Sequence, residues 1–170
     1  MKAVLVEPRA EVESDEGLKV ADAVWVGTAL LQEKHRDAVF STEDIVSSVQ
    51  RHHLTKGTFK SIWQHVNQHC VANRPPQPNR ICMLTATGKG YRRLFRPSDK
   101  VDEGRKGAPT HPEWNVLPTQ YQYLRNWYEE WIHLAAEETQ DPLLELVGTW
   151  KDESADDYVA HLRENWSNAQ

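Results

Sequence analysis

Between Ser41 and Arg96 the chain carries, in order, a capped short helix, an apolar helical stripe and a β-hairpin with a basic second strand, and that order leaves few folds open. Ser41 is placed to cap the backbone N–H of Asp44, while Phe40 before the cap and Ile45 after it form a hydrophobic staple. The helix so opened runs to about His52 and buries Ile45, Val46 and Val49. After a turn through Leu54 to Gly57, the residues Phe59, Ile62, Trp63, Val66 and Cys70 fall at i, i+3, i+4, i+7 and i+11, an apolar stripe on one helical face. The opposite face reads Lys60, Ser61, Gln64, Asn67 and Gln68. Asn73 offers a left-handed stop, and Pro75-Pro76 cannot continue the helix. Arg80 to Arg96 then predicts a hairpin: a strand over Ile81 to Thr85, a turn through Thr87-Gly88-Lys89-Gly90, and a return strand Tyr91-Arg92-Arg93-Leu94-Phe95 ending at Arg96.

Upstream, Val20 to about His35 is helical, with Val20, Val24, Thr28 and Leu31 on one stripe and Trp25 beside it. Three helices followed by a basic hairpin is the order of a winged helix-turn-helix. The expected fold class is α+β, mainly α, with a winged helix-turn-helix core at 20–98 and a helical C-terminal extension at 119–170. Residues 1–19 read as an N-terminal arm. The stretch 97–118 holds four Pro and two Gly, so 99–118 is expected to be a linker. The extension opens with an aromatic helix from Thr119 to about Ala136, bearing Tyr121, Leu124, Trp127, Tyr128, Trp131 and Leu134. Asp141-Pro142 opens a short turn that Gly148 closes, and a last helix from Ser154 aligns Ala155, Tyr158, Val159, Leu162 and Trp166.

Composition removes several classes. A length of 170 residues suits one domain, or one small domain with attached elements. Seven Trp supply anchors that disordered chains lack. No apolar run approaches the roughly 18 residues of a membrane span, and Met1 to Pro8 is not a secretory signal. Two cysteines, Cys70 and Cys82, make neither a disulfide framework nor a zinc-ribbon pattern, which fits a reducing cytoplasm. The net charge of −5 conceals an asymmetry: −3 over residues 1–40, +7 over 41–98 and −9 over 99–170. A basic centre between acidic flanks points to a polyanion site in the middle.

On that reading the third helix lies in the major groove of double-stranded DNA and offers Lys56, Lys60, Ser61, Gln64, Asn67 and Gln68. Lys89, Arg92, Arg93 and Arg96 of the hairpin reach flanking phosphates, and charge reversal at Arg92 and Arg93 is expected to weaken binding to all duplexes. The competing reading is a protein-interaction adaptor whose winged helix never touches nucleic acid, its basic hairpin packing against the acidic C-terminal half. Catalytic chemistry finds no footing. Gly88-Lys89-Gly90 lacks the spacing of a phosphate loop, and Cys70 next to His69 is adjacency and not a triad. His65 and His69 stand one turn apart without the Glu of a zincin motif, and Cys70 belongs to the apolar stripe, so neither a metal nor a cofactor is expected. In the extension, Leu124 and Tyr128 read as core, while Trp131, Tyr158, Leu162 and Trp166 are candidates for a partner surface. A homodimer would suit palindromic half-sites.

The stretch Gln68-His69-Cys70-Val71-Ala72-Asn73-Arg74-Pro75-Pro76, running into Arg92-Arg93-Leu94-Phe95-Arg96-Pro97, resembles a family of small uncharacterised prokaryotic proteins with a winged-helix core. The resemblance extends through Leu117-Pro118, Tyr121, Leu124 and Trp127-Tyr128, and covers about residues 20–166. It implies a fold more than an activity. Separately, Asp156-Asp157-Tyr158-Val159, Leu162-Arg163-Glu164 and Trp166 resemble the C-terminal segments of some type II antitoxins, short amphipathic helices that dock on a toxin. That similarity implies a transcriptional regulator that is also the antitoxin of a toxin–antitoxin pair, with DNA and a toxin as its partners.

Overall fold

In the computed structural model, residues 17–77 and 79–139 are described. The described residues up to Trp131 fall in one compact unit, and those from Ile132 onward in a second. The elements of the first unit follow the order α1 (Val20–Lys34), β1 (Phe40–Ser41), α2 (Thr42–Arg51), α3 (Phe59–Gln64), β2 (Leu84–Gly88) and β3 (Tyr91–Leu94), then α4 (Leu124–Thr139), which begins in this unit. The three strands make one antiparallel sheet in the order β1-β3-β2. This is a mainly helical α+β fold with a winged-helix arrangement: a helix, a short strand, two helices and a two-stranded wing that pairs back onto the short strand.

The helix α1 is the hub. Every residue from Ala23 to Leu30 is buried, so the helix is enclosed on all sides rather than along a single stripe. The helix α2 crosses it closely at Gly27, where an added Cβ would stand 2.7 Å from Val49 Cγ2. At the same point the Ser48 hydroxyl donates to the Gly27 carbonyl, 2.8 Å away. The start of α2 is as expected. Ser41 accepts from the Asp44 N–H, Asp44 accepts from the Ser41 N–H in return, and Phe40 and Ile45 are both buried.

The third helix departs from the expected stripe. It is α-helical only from Phe59 to Gln64 and continues as one π-helical turn, His65–His69, closed by the Cys70 N–H on the His65 carbonyl at 3.0 Å. Ile62, Val66 and Cys70 are buried, but Phe59 is 58% exposed and Trp63 43% exposed. The five apolar residues therefore split between two faces. Asn73 takes no left-handed turn; instead its amide donates to the Ala86 carbonyl and accepts from the Ala86 N–H, so the side chain mimics a strand residue beside β2. The short strand β1 pairs Phe40 with Arg92 and Ser41 with Tyr91.

Residues 99–118 are not a free linker. They pack within the first unit, and Arg105 is fully buried there. Its guanidinium donates to the carbonyls of Gln68, His69, Arg74, Pro75, Asn79 and Ile81 at 2.6–3.2 Å. One side chain thus holds the whole irregular path between α3 and β2 in place. Further on, Trp114 and Tyr128 meet Trp25 edge-on at 5.7 and 5.3 Å, and the Tyr128 hydroxyl donates to the Phe95 carbonyl at 2.8 Å. The start of α4 is thereby fixed against both α1 and the end of the wing. The turn expected at Asp141-Pro142 and the helix expected from Ser154 lie outside the described residues. No helix among the described residues is long and apolar enough to cross a membrane.

Candidate nucleic-acid interface

The polar side of α3 is presented by anchoring the other side. Thr58 caps the helix by accepting from the Ser61 N–H, and Ile62 and Val66 sink into the core. That leaves Lys60 and Gln64 exposed, with Lys56 exposed on the turn before them. Ser61 is half-buried, and its carbonyl accepts from His65 Nδ1 at 2.8 Å. Of the six residues expected to face the groove, two are committed to internal structure. Asn67 Oδ1 accepts from Thr42 Oγ1 at 3.1 Å and Arg92 Nη2 at 3.4 Å, while its Nδ2 donates to the Trp63 carbonyl at 3.0 Å. Gln68 donates to Gln77 Oε1 at 2.8 Å.

The wing differs more sharply from its expected role. Lys89 is exposed at the hairpin tip, between Gly88 and Gly90, and Gly90 adopts a φ of 84° that favours glycine. The three arginines are turned to internal work. Arg92 is 1% exposed and donates to the carbonyls of Tyr91 and Gly88 as well as to Asn67. Burial, and secondarily the charge of Arg74, draw its guanidinium down to about 10. The cause is the strand's period of two: on β3, Arg92 shares the inward face with buried Leu94.

Arg93, on the other face, is paired with Asp99 through two parallel hydrogen bonds, 2.8 and 2.5 Å long. Asp99 also accepts from Thr85 Oγ1 and the Arg96 N–H, both at 2.7 Å. Burial pushes its carboxyl up, but the bonds from Arg93, Thr85 and Arg96 and the charge of Arg93 outweigh that and hold it below the ordinary carboxylate range. Arg96 lies 4.4 Å over the Trp131 ring and 3.7 Å from Asp37. Arg92, Arg93 and Arg96 therefore brace the wing rather than project from it. Trp131, expected on a partner surface, is 1% exposed, donates to the Arg36 carbonyl at 3.1 Å and stacks on Tyr128. Tyr158, Leu162 and Trp166 lie outside the described residues.

The sequence also carries a simpler signal. No Asp or Glu occurs from Ile45 to Ser98, a stretch that holds nine Lys and Arg. It spans most of α2, all of α3 and both strands of the wing. With the wing arginines internally committed, its exposed cations are Arg51, Lys56, Lys60, Arg80 and Lys89. Comparison of the chain with family models, with curated proteins and with solved structures returned no match.

Proposed function

We propose that this chain is a non-enzymatic, DNA-binding winged-helix protein that presents α3 and the preceding turn to the nucleic acid and acts as a regulator of transcription. The observation that supports it is the coincidence of the carboxylate-free stretch 45–98 with the helix-turn-helix and wing. Lys60 and Gln64 meet the DNA first, Arg51 and Lys56 flank them, and Lys89 at the wing tip adds a phosphate contact. The antitoxin role extends this reading by adding a toxin docked through Tyr158, Leu162 and Trp166.

The test is fluorescence anisotropy of labelled duplexes, including DNA upstream of the chain's own gene, at several salt concentrations. Binding that weakens steeply with salt, and weakens uniformly across sequences in Lys60→Glu and Lys89→Glu, is the expected result. Absence of binding at low salt overturns the reading. The exposed Phe59 and Trp63 favour a second reading, a protein-interaction adaptor that docks through α3.

A further inference from the structure

Phe59 and Trp63 stand one turn apart on α3 and remain 58% and 43% exposed, although Ile62, Val66 and Cys70 already complete the buried side. Core packing therefore does not account for the ring surface they leave open. We propose that Phe59 and Trp63 form a stacking platform for unpaired bases, so that α3 binds single-stranded nucleic acid more tightly than the duplex. This deepens the nucleic-acid reading above and rests on it.

Three features carry the inference. Lys60 and Gln64 each follow one of the aromatics by a single position, so one cation and one hydrogen-bonding amide flank the two ring faces on the exposed part of α3. That combination is the chemistry of single-strand binding, in which the backbone follows positive charge and successive bases lie on aromatic faces. Second, neither α3 nor the rest of the stretch 45–98 contributes a carboxylate of its own to repel a phosphate chain passing along α3. Third, a closed duplex gives these rings little to hold. In the major groove the base faces are stacked away, and the thymine methyl is the main apolar feature offered to a side chain. Two aromatics on the reading helix are spent poorly on paired DNA and well on unpaired bases.

The experiment compares one labelled 20-nucleotide strand with the same strand annealed to its complement, each titrated with the full chain at fixed salt. The expected result is tighter binding to the single strand. Phe59→Ala and Trp63→Ala should each weaken that binding about tenfold and leave duplex binding unchanged. Trp63→Phe, which keeps a ring face, should restore most of the loss. Lys60→Gln should weaken both forms alike. Phe59→Ala, at the more exposed ring, should keep the far-UV circular dichroism and Tm of the parent chain, and Trp63→Phe covers the case in which Trp63→Ala loses stability with its partly covered ring. If the alanine variants bind both forms like the parent, or if the duplex binds as tightly as the single strand, the platform is overturned while the DNA reading stands. If neither form binds at low salt, both readings fall, and the aromatic pair is left as a protein-docking face.

Discussion

Asp99 grips the Arg93 guanidinium with both carboxylate oxygens, Oδ2 on Nη1 at 2.8 Å and Oδ1 on Nη2 at 2.5 Å. The pair joins the middle of β3 to the first residue after the carboxylate-free stretch, so the segment 99–118 is fastened to the wing where it begins. Because the Asp99 carboxyl is held below its ordinary value, the folded state binds its proton less readily than the unfolded chain. The resulting stability is fully present above the unfolded carboxylate pKa of about 3.9 and is lost as pH falls through the folded value. Asp99→Asn should destabilise the protein by roughly 2–3 kcal/mol at pH 7, as for a hydrogen bond to a charged group. Thermal melts from pH 7 to pH 2 should show a shallower acid loss in the variant. Parallel curves for the two proteins would show that Asp99 carries none of the acid sensitivity.

Arg105 is a different kind of fastening, a buried cation surrounded by neutral carbonyls. Its planar donors reach six backbone oxygens from Gln68 to Ile81, which a lysine ammonium with three donors cannot match. Arg105→Lys should lower stability by about 2 kcal/mol or more, and Arg105→Ala by about 3–5 kcal/mol, since buried carbonyls are left unsatisfied. Urea midpoints measure both. In the lysine variant, faster amide exchange should concentrate between residues 68 and 81. A lysine variant as stable as the parent would show that charge alone, and not the donor fork, holds the segment.

Much of this architecture was legible because it rests on local periodicity. The Ser41 cap, the Phe40–Ile45 staple, α1, α2 and a hairpin follow from spacing and turn chemistry, although its first strand runs Leu84–Gly88 and not Ile81 to Thr85. What escaped was tertiary. The strand β1 has two residues, too few for any alternation to register, and Phe40 reads equally well as a staple. Residues 99–118 have the composition of a loop, and nothing local marks Arg105 as the side chain that docks it. The stripe from Phe59 to Cys70 fits i, i+3 and i+4 spacing and reads as one face. The geometry instead buries Ile62, Val66 and Cys70 and exposes Phe59 and Trp63. The inward turn of Arg92 follows from period two in Tyr91-Arg92-Arg93-Leu94, which sets it beside Leu94, whereas a run of three charged residues around one leucine reads as a solvated strand by composition alone.

The approach of α1 and α2 depends on Gly27. A Cβ there would meet Val49 Cγ2 at 2.7 Å and the Val49 backbone nitrogen at 3.3 Å. Alanine gains about 1 kcal/mol of helix propensity over glycine, but overpacking in a tight core costs about 1–3 kcal/mol. The displacement also strains the bond from Ser48 to the Gly27 carbonyl. Gly27→Ala should therefore lower stability by about 1–2 kcal/mol in total. Val49→Ala removes the nearest atom, so the double variant should lose less than the sum of the two single losses in a denaturation cycle. Strict additivity would place the constraint on Gly27 elsewhere than Val49.

Two of the wing cations, Lys89 and Arg92, stand at opposite extremes of exposure. Lys89 at the tip is exposed, whereas Arg92 is buried against Asn67 and two carbonyls. Electrostatic affinity for a phosphate chain counts the cations that displace counterions. Each phosphate contact contributes about −0.9 to the slope of log K against log salt on duplex DNA and about −0.7 on a single strand. Lys89→Gln should therefore flatten the slope by about that much and leave Tm unchanged. Arg92→Met should do the reverse, lowering stability by about 1–3 kcal/mol because the Tyr91 carbonyl loses the Arg92 donor and Asn67 Oδ1 loses one of its two donors. While the variant stays folded, its salt slope should match the parent's. Anisotropy titrations at four salt concentrations, paired with thermal melts, separate the two effects. A slope that falls in Arg92→Met as far as in Lys89→Gln would mean that the wing turns Arg92 outward when it binds.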